Sequence, residues 1–258
     1  MIRYFISDLH LSDKRPDLIR AFVLMMEELT TRNEKAELYI LGDFYEAWIG
    51  DDFQADWNTT IENALLNLSQ SGINLYFLHG NRDFLIGDAW LTRVGATLIQ
   101  EQTLLPLEKG SVLLTHGDEY CLEDVEYQKF RQTVRSSAWQ TQILALPLEQ
   151  RIALAAQLRN DSQSMASEKS MSIMDVTEAA VQSSLDAHHC KSLIHGHTHR
   201  PSTHHTENTL RCVLGDWDKN VYLASIEGNH YSQSKATAED FNKSGLQSLQ
   251  VNHEEALY

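Results

Sequence analysis

The chain has 258 residues and carries 36 acidic against 21 basic side chains, a formal charge of −15. That length accommodates a large α/β domain with an insertion and a sizeable core without disulfides. An acidic excess of this size opposes broad contact with phosphate backbones, so nucleic acid is not expected as a partner. Cys121, Cys190 and Cys212 are scattered, odd in number and without CxxC spacing, which predicts ordinary thiols in a reducing, cytoplasmic compartment.

Met1 leads straight into an apolar strand, Ile2 to Ile6, with no basic leader before it. No later apolar run approaches the roughly 20 residues that span a bilayer. From Asp17 to Thr31, Leu18, Phe22, Met25 and Leu29 recur at helical spacing, so this helix buries one stripe and keeps a polar back. Leu38 to Leu41 reads as the second strand, and Thr59 with Glu62 as a capping box opening a helix that carries Ile61, Leu65 and Leu68. Leu75 to Leu78 and Val112 to Thr115 follow as strands. Alternating strands and helices predict a mostly parallel sheet, whose ligands bind beyond the carboxyl ends of the strands.

Between about Leu122 and His189 the alternation stops. Tyr127, Phe130 and Val134 share one helical face, and Trp139, Ile143, Leu144, Leu146, Leu148, Ile152, Leu154 and Leu158 form an apolar stretch broken at Pro147. Residues 122–189 are therefore expected as a helical insertion, with Asn160 to Ser164 as a polar hinge. The sheet resumes at Ser192, and Leu210 to Leu214 and Val221 to Ile226 are β-rich, with Gly215-Asp216 turning between them. The expected division is a core of residues 1–121 and 190–228 and a polar tail, 229–258, to which no structure is assigned.

Chemistry-bearing residues gather where apolar runs end: Asp8 and His10, Asp43, Asn81, His116, and His197 with His199. On an extended backbone residues two apart face the same way, which is metal-ligand spacing. Carboxylate, imidazole and amide groups without thiolate suit divalent manganese, iron or zinc. Seven ligands exceed what one tetrahedral ion uses. Two ions sharing a carboxylate satisfy the number, and such a pair can clamp the attacking and leaving oxygens of a phosphoryl displacement. His195 precedes the paired histidines and is expected in a structural role. His188-His189 and His204-His205 read as surface residues, and Glu46, Asp51 and Asp52 fit an active-site rim and a solvated acidic loop equally.

The ordered blocks Asp8-Leu9-His10, Gly42-Asp43, Gly80-Asn81, His116-Gly117-Asp118 and Gly196-His197-Thr198-His199 resemble those of the calcineurin-like metallophosphoesterases. The runs Glu46 to Asp52, His79 to Leu85, Ile173 to Val176 and Ile194 to Pro201 narrow the resemblance to the lipid-nucleotide diphosphatases of lipid A synthesis. The resemblance implies a four-layer α/β/β/α sandwich with a helical lid insertion. It implies two divalent ions, most often Mn2+, one held by Asp8, His10, Asp43 and His199, the other by Asp43, Asn81, His116 and His197. Asp43 and Arg82 would be catalytic, and Asn81, Arg82, Asp124, Ser162, Lys169 and His197 would meet the substrate. That substrate would be UDP-2,3-diacylglucosamine, whose diphosphate is split by water at the α-phosphorus on the cytoplasmic face of the inner membrane, with the apolar insertion holding the acyl chains. Ala166 departs from the pattern, in which a polar side chain is expected there. Other metallophosphoesterase activities (nucleotide diphosphatase, protein phosphatase, nuclease) and a non-catalytic scaffold remain as alternatives. Many members carry His after the Asn of the third block. Arg82 stands in that place, and a guanidinium cannot protonate a leaving group.

Overall fold

The computed structural model describes residues 1–32, 35–168, 173 and 175–257, with 161–168 described as backbone only. The chain runs β1 (Ile2–Ile6), α1 (Pro16–Thr31), β2 (Ala36–Leu41), α2 (Asp56–Gln70), β3 (Asn74–Leu78), α3 (Asp88–Val94), β4 (Ala96–Leu98), β5 (Thr103–Pro106) and β6 (Ser111–Leu114). Four helices follow: α4 (Val125–Val134), α5 (Ser137–Leu144), α6 (Leu148–Glu168) and α7 (Glu178–Ala187). The remainder is β7 (Ser192–His195), β8 (Ser202–His205), β9 (Leu210–Val213), β10 (Asn220–Glu227), β11 (His230–Thr237), α8 (Ala238–Ser244) and β12 (Gln250–Ala256).

Two sheets form. One has the order β12-β11-β10-β1-β2-β3-β4, parallel from β1 to β4, and the other the order β5-β6-β7-β9-β8, parallel from β6 to β9. The strands of the parallel centres are apolar on both faces, which requires cover on both sides. Alternation sorts the side chains. Tyr4, Ile6, Leu38, Ile40 and Phe77 pack with Phe22, Leu65, Trp90 and Phe241 of the helices outside the first sheet. Phe5, Tyr39, Leu41 and Leu78 meet Val112, Leu114 and Ile194 of the second sheet. Leu113 and Leu193 point the other way, to Val181 and Leu185 of α7. These three apolar layers hold together four layers of structure, helix, sheet, sheet and helix. Each fully buried Phe or Leu contributes about 1.5–3 kcal/mol.

Several expectations change. The first turn of α2 starts at Asp56, where Asn58 Oδ1 accepts from Ala55 N at 2.6 Å. Glu62 instead forks with Arg93 at 2.8 and 3.0 Å. The polar segment from Asn160 to Ser164 is not a hinge but part of α6, since neither Gly nor Pro interrupts that helix. Helix α7, placed by sequence within the insertion, is the outer layer of the sandwich. Short α3, β4, β5 and β8 were not expected. The tail is ordered as β11, α8 and β12 at the edge of the first sheet. Its pattern was obscured because Gln233 occupies an inward position of β11, where its Oε1 accepts from Gly215 N at 3.0 Å.

Candidate metal centre

The carboxyl ends of β1, β2, β3, β6 and β7 deliver the candidate ligands to one place, and the loops beyond them are tied by backbone bonds. Asp8 N donates to Gly42 O at 3.1 Å, His10 N to Asp43 O at 3.0 Å, and Gly196 N to His116 O at 3.0 Å. Asp8, His10, Asp43, His197 and His199 all have positive φ, from 47° to 67°. Non-glycine residues held in this region cost of order 1–3 kcal/mol each and persist where the surroundings over-determine them. Two glycines permit the close approach. A Cβ on Gly42 would lie 2.5 Å from the Gly80 backbone, and one on Gly196 would lie 2.1 Å from Asp8 Oδ2.

Asp43 sits between two groups of ligands. Its Oδ1 lies 3.6 Å from His116 Nε2 and its Oδ2 3.9 Å from His10 Nε2. On one side, His10 Nε2 and His199 Nε2 are 3.2 Å apart, and Asp8 Oδ1, buried and without a hydrogen bond among the described residues, is 3.3 Å from His199 Nε2. The Nδ1 atoms of both rings face carboxylates, His10 to Glu46 at 3.3 Å and His199 to Asp216 at 3.5 Å. Carboxylates there keep the proton on Nδ1. Two Nε2 lone pairs then face each other beside a carboxylate oxygen, an arrangement that a shared cation satisfies. On the other side, His116 Nδ1 donates to Leu41 O at 2.8 Å, which leaves Nε2 as an acceptor 3.0 Å from Asn81 Oδ1, and His197 Nδ1 lies 2.8 Å from the same amide oxygen. Both donor sets are oxygen and nitrogen only and fit divalent ions of the manganese, iron or zinc type.

Charge around the centre is strongly perturbed. Burial disfavours the charged forms of His116 and His199, yet the carboxylates of Asp8 and Asp43 outweigh it, pushing each imidazole up to about 9. Burial, with the charge of His116, pushes His197 down to about 4. Against the cost of burial, His199 and His116 hold the Asp8 carboxyl far below its usual range. The buried carboxylates that hold a proton on these two rings would equally favour a bound cation in its place, with release of that proton from Nε2.

The flanking residues fall into place around it. Arg82 N donates to Asp43 Oδ1 at 2.8 Å, while its buried Nε makes no hydrogen bond among the described residues. Asp83, fully buried, accepts from Gly80 N at 2.8 Å and Phe44 N at 2.7 Å and so joins the loops after β2 and β3. Asp124 is buried and caps α4, accepting from Tyr127 N at 3.1 Å. The Tyr127 ring lies against His197, with centroids 6.0 Å apart, and its hydroxyl donates to the buried Asp118 at 2.5 Å. Ser162 lies on α6, one turn beyond Arg159, and Lys169 lies outside the described residues. His195 uses both ring nitrogens, Nδ1 with Gly196 O at 2.8 Å and Nε2 with Arg211 at 3.3 Å, and is buried away from any ligand role. Glu46 belongs to the rim of the centre. Asp51 instead braces α3 through Gly87 N and Trp90 N, and Asp52 pairs with Arg151 of α6.

Two participants were missed. Arg159 reaches from α6 to Glu46 at 2.5 Å; it follows Arg151 by eight residues, two turns along the same helical face. Burial and the neighbouring Arg82 charge lower the Arg159 guanidinium, while His10 and Arg159 hold Glu46 below its usual range against burial. The sequence marks Asp216 only as part of a turn, although Gly215-Asp216 repeats the strand-Gly-Asp pattern of Gly42-Asp43.

The profile of the calcineurin-like phosphoesterases matches residues 3–201. UDP-2,3-diacylglucosamine hydrolase of Chromohalobacter salexigens is 47% identical over 223 residues, covering 84% of this chain and 89% of the relative. The proteins of that name from Marinobacter nauticus and Cellvibrio japonicus are 44% and 46% identical, covering 89% and 83% of this chain and 95% and 90% of theirs.

Proposed function

Because the chain belongs to the calcineurin-like phosphoesterase family, we propose that it hydrolyses the diphosphate of UDP-2,3-diacylglucosamine, releasing UMP and 2,3-diacylglucosamine 1-phosphate for lipid A synthesis. The observation that carries this reading is a phosphate site continuous with an apolar wall. Two residues on from Arg82, Phe84 packs with Trp139 of α5 at a centroid distance of 6.0 Å, and Arg135 lies over the Phe84 ring at 5.4 Å. Leu144 and Ile152 of the same insertion remain 43% and 46% exposed, as a surface for acyl chains requires.

Asp8, His10, Asp43 and His199 would hold one divalent ion, and Asp43, Asn81, His116 and His197 a second, with Mn2+ the metal proposed. Bound there, the ions supply Lewis-acid charge to the phosphoryl oxygens and lower the pKa of water. Arg82, whose backbone N–H is anchored on Asp43, would offer its positive guanidinium fork to the same oxygens. Water adds its oxygen to the α-phosphorus, and the bond from that phosphorus to the bridging oxygen breaks. The lipid 1-phosphate departs as a stable anion, so Arg82 need not donate a proton. Asn81 and His197 would position the diphosphate, with Asp124, Ser162 and Lys169 proposed toward the glucosamine end. No helix among the described residues is long and apolar enough to cross a membrane; the exposed side chains of the insertion are proposed to hold the protein peripherally on the cytoplasmic face of the inner membrane.

The test is direct. Purified protein, stripped of metal and reloaded with Mn2+, should release UMP from the lipid nucleotide, and the stripped protein should not. Absence of UMP at saturating Mn2+ would refute the assignment.

A further inference from the structure

A diphosphate diester has two arms, and both must leave the reacting phosphorus through space next to the metal ligands. The wall from Arg82 through Phe84 and Trp139 takes the apolar arm, on the reading proposed above. Beside the centre, a cavity of about 370 Å³ begins at His10 and Glu46, within the roughly 300–1,000 Å³ of small-ligand sites. Its remaining wall comes from the segment Ser12–Arg15, from Arg159 and Asn160 of α6, and from Leu18 and Trp217.

The chemistry of this wall suits a nucleotide rather than an acyl chain. Leu18 and Trp217 are almost fully buried, and Trp217 Nε1 is fixed on Tyr222 O at 3.0 Å, so the apolar floor is rigid. Arg15 is neutralised by Asp17 and Asp218 and thereby ties its segment to the loop after β9. Glu46, the carboxylate in the wall, is offset by Arg159. Lys14 has no ion pair among the described residues and is exposed, so the cavity presents an uncompensated cation in a chain of net charge −15. Ser12 and the Asn160 amide add hydrogen-bond groups, and an amide offers the paired donor and acceptor that a pyrimidine edge needs.

We propose that this cavity is the subsite for the uridine monophosphate half of the substrate, with Lys14 near the nucleotide's phosphate and Asn160 and Ser12 toward its sugar and base. Helix α6 borders this cavity through Arg159 and Asn160, and the nucleotide half of the substrate then lies against the His10 and Glu46 side of the centre.

UMP is titrated calorimetrically onto the Mn2+-loaded protein, and the lipid 1-phosphate product in parallel. Lys14→Glu should weaken UMP about tenfold, the effect of losing and reversing one charge contact of about 1.4 kcal/mol, and leave lipid 1-phosphate binding at the wild-type value. Asn160→Ala should weaken UMP several-fold in the same selective way. Photolysis of bound 5-iodo-UMP, mapped by mass spectrometry, should label peptides containing residues 10–18, 159–160 or 217. Wild-type UMP affinity in both variants, or labelling confined to α4 and α5, would overturn the subsite. Turnover of the lipid nucleotide is scored separately: if turnover fails while UMP still binds and labels this cavity, the substrate assignment falls and the nucleotide subsite stands.

Discussion

Replacing Arg151 by Ala should undock α6 without unfolding the sandwich. The Arg151 side chain is 4% exposed and donates to Ile49 O at 2.6 Å and to Leu146 O at 3.0 Å, while its fork grips Asp52. Each charged-donor bond to a carbonyl contributes about 1.5 kcal/mol at the low end of its range. Asp52 is 61% exposed, so solvent reduces that pair to at most about 1 kcal/mol. Leu146 belongs to the insertion itself, so the contacts that tie α6 to the sandwich are those to Ile49 and Asp52. Their sum, about 1.5–2.5 kcal/mol, corresponds to an increase of roughly one to two powers of ten in the open population of α6. Hydrogen exchange followed by mass spectrometry should show protection lost across α6 and kept in β1, β2 and β7. Because α6 carries Arg159, KM for the lipid nucleotide should rise in parallel. Arg151→Lys, which keeps the charge but not the fork, should fall between. Unchanged exchange in α6 of the Ala variant would refute this account of how the insertion is held.

Asp43→Ala should empty at least one metal position and abolish turnover, since its two oxygens face different ligand groups; two ions retained per chain by elemental analysis, with wild-type turnover, would contradict the shared carboxylate. Arg82→Ala should lower turnover at least tenfold while both ions stay bound, and the wild type should cleave diphosphates far faster than a serine phosphate; comparable rates on the two would count against the role given to Arg82. Ile152→Asp, at a 46% exposed position, should weaken the lipid substrate more than a short-chain analogue, whereas equal losses would signal damage to packing. Burial raises the Glu119 carboxyl from 4.5 to about 7, so its contribution to stability is fully present below pH 4.5 and is lost as pH rises through about 7. Glu119→Gln should therefore flatten the fall in urea resistance between pH 5 and 8, and an unchanged slope would rule Glu119 out as its source.

The clustering of the candidate ligands and the layered fold were legible because both follow from short-range rules. Strands apolar on both faces announce two-sided burial, and Asp, His and Asn immediately after such strands have one rim to occupy. What escaped depends on partners distant in sequence. Gln233 reads as polar until the backbone of Gly215 is seen beside it, so β11 and β12 were passed over. Arg159 lies in a stretch whose polarity suggested a hinge, and its role exists only because Glu46 comes within reach. Asp124 fits the substrate pattern from sequence, yet the structure also gives it the capping of α4, a local task invisible until the helix boundary is known.

The centre is assembled from residues that arrive at very different times. His10 and His199, 189 positions apart, meet at 3.2 Å, and β6 and β7, which carry His116 and lead to His197, are separated by every helix of the insertion. During synthesis the first sheet's parallel strands can pair long before the final histidines leave the ribosome. On the proposed ligand assignment, no partial chain ending before residue 199 would hold a complete donor set for the ion on the Asp8 side. Metal capture would then report that both sheets have closed on each other, and an ion bound at full affinity would draw the last docking step to completion.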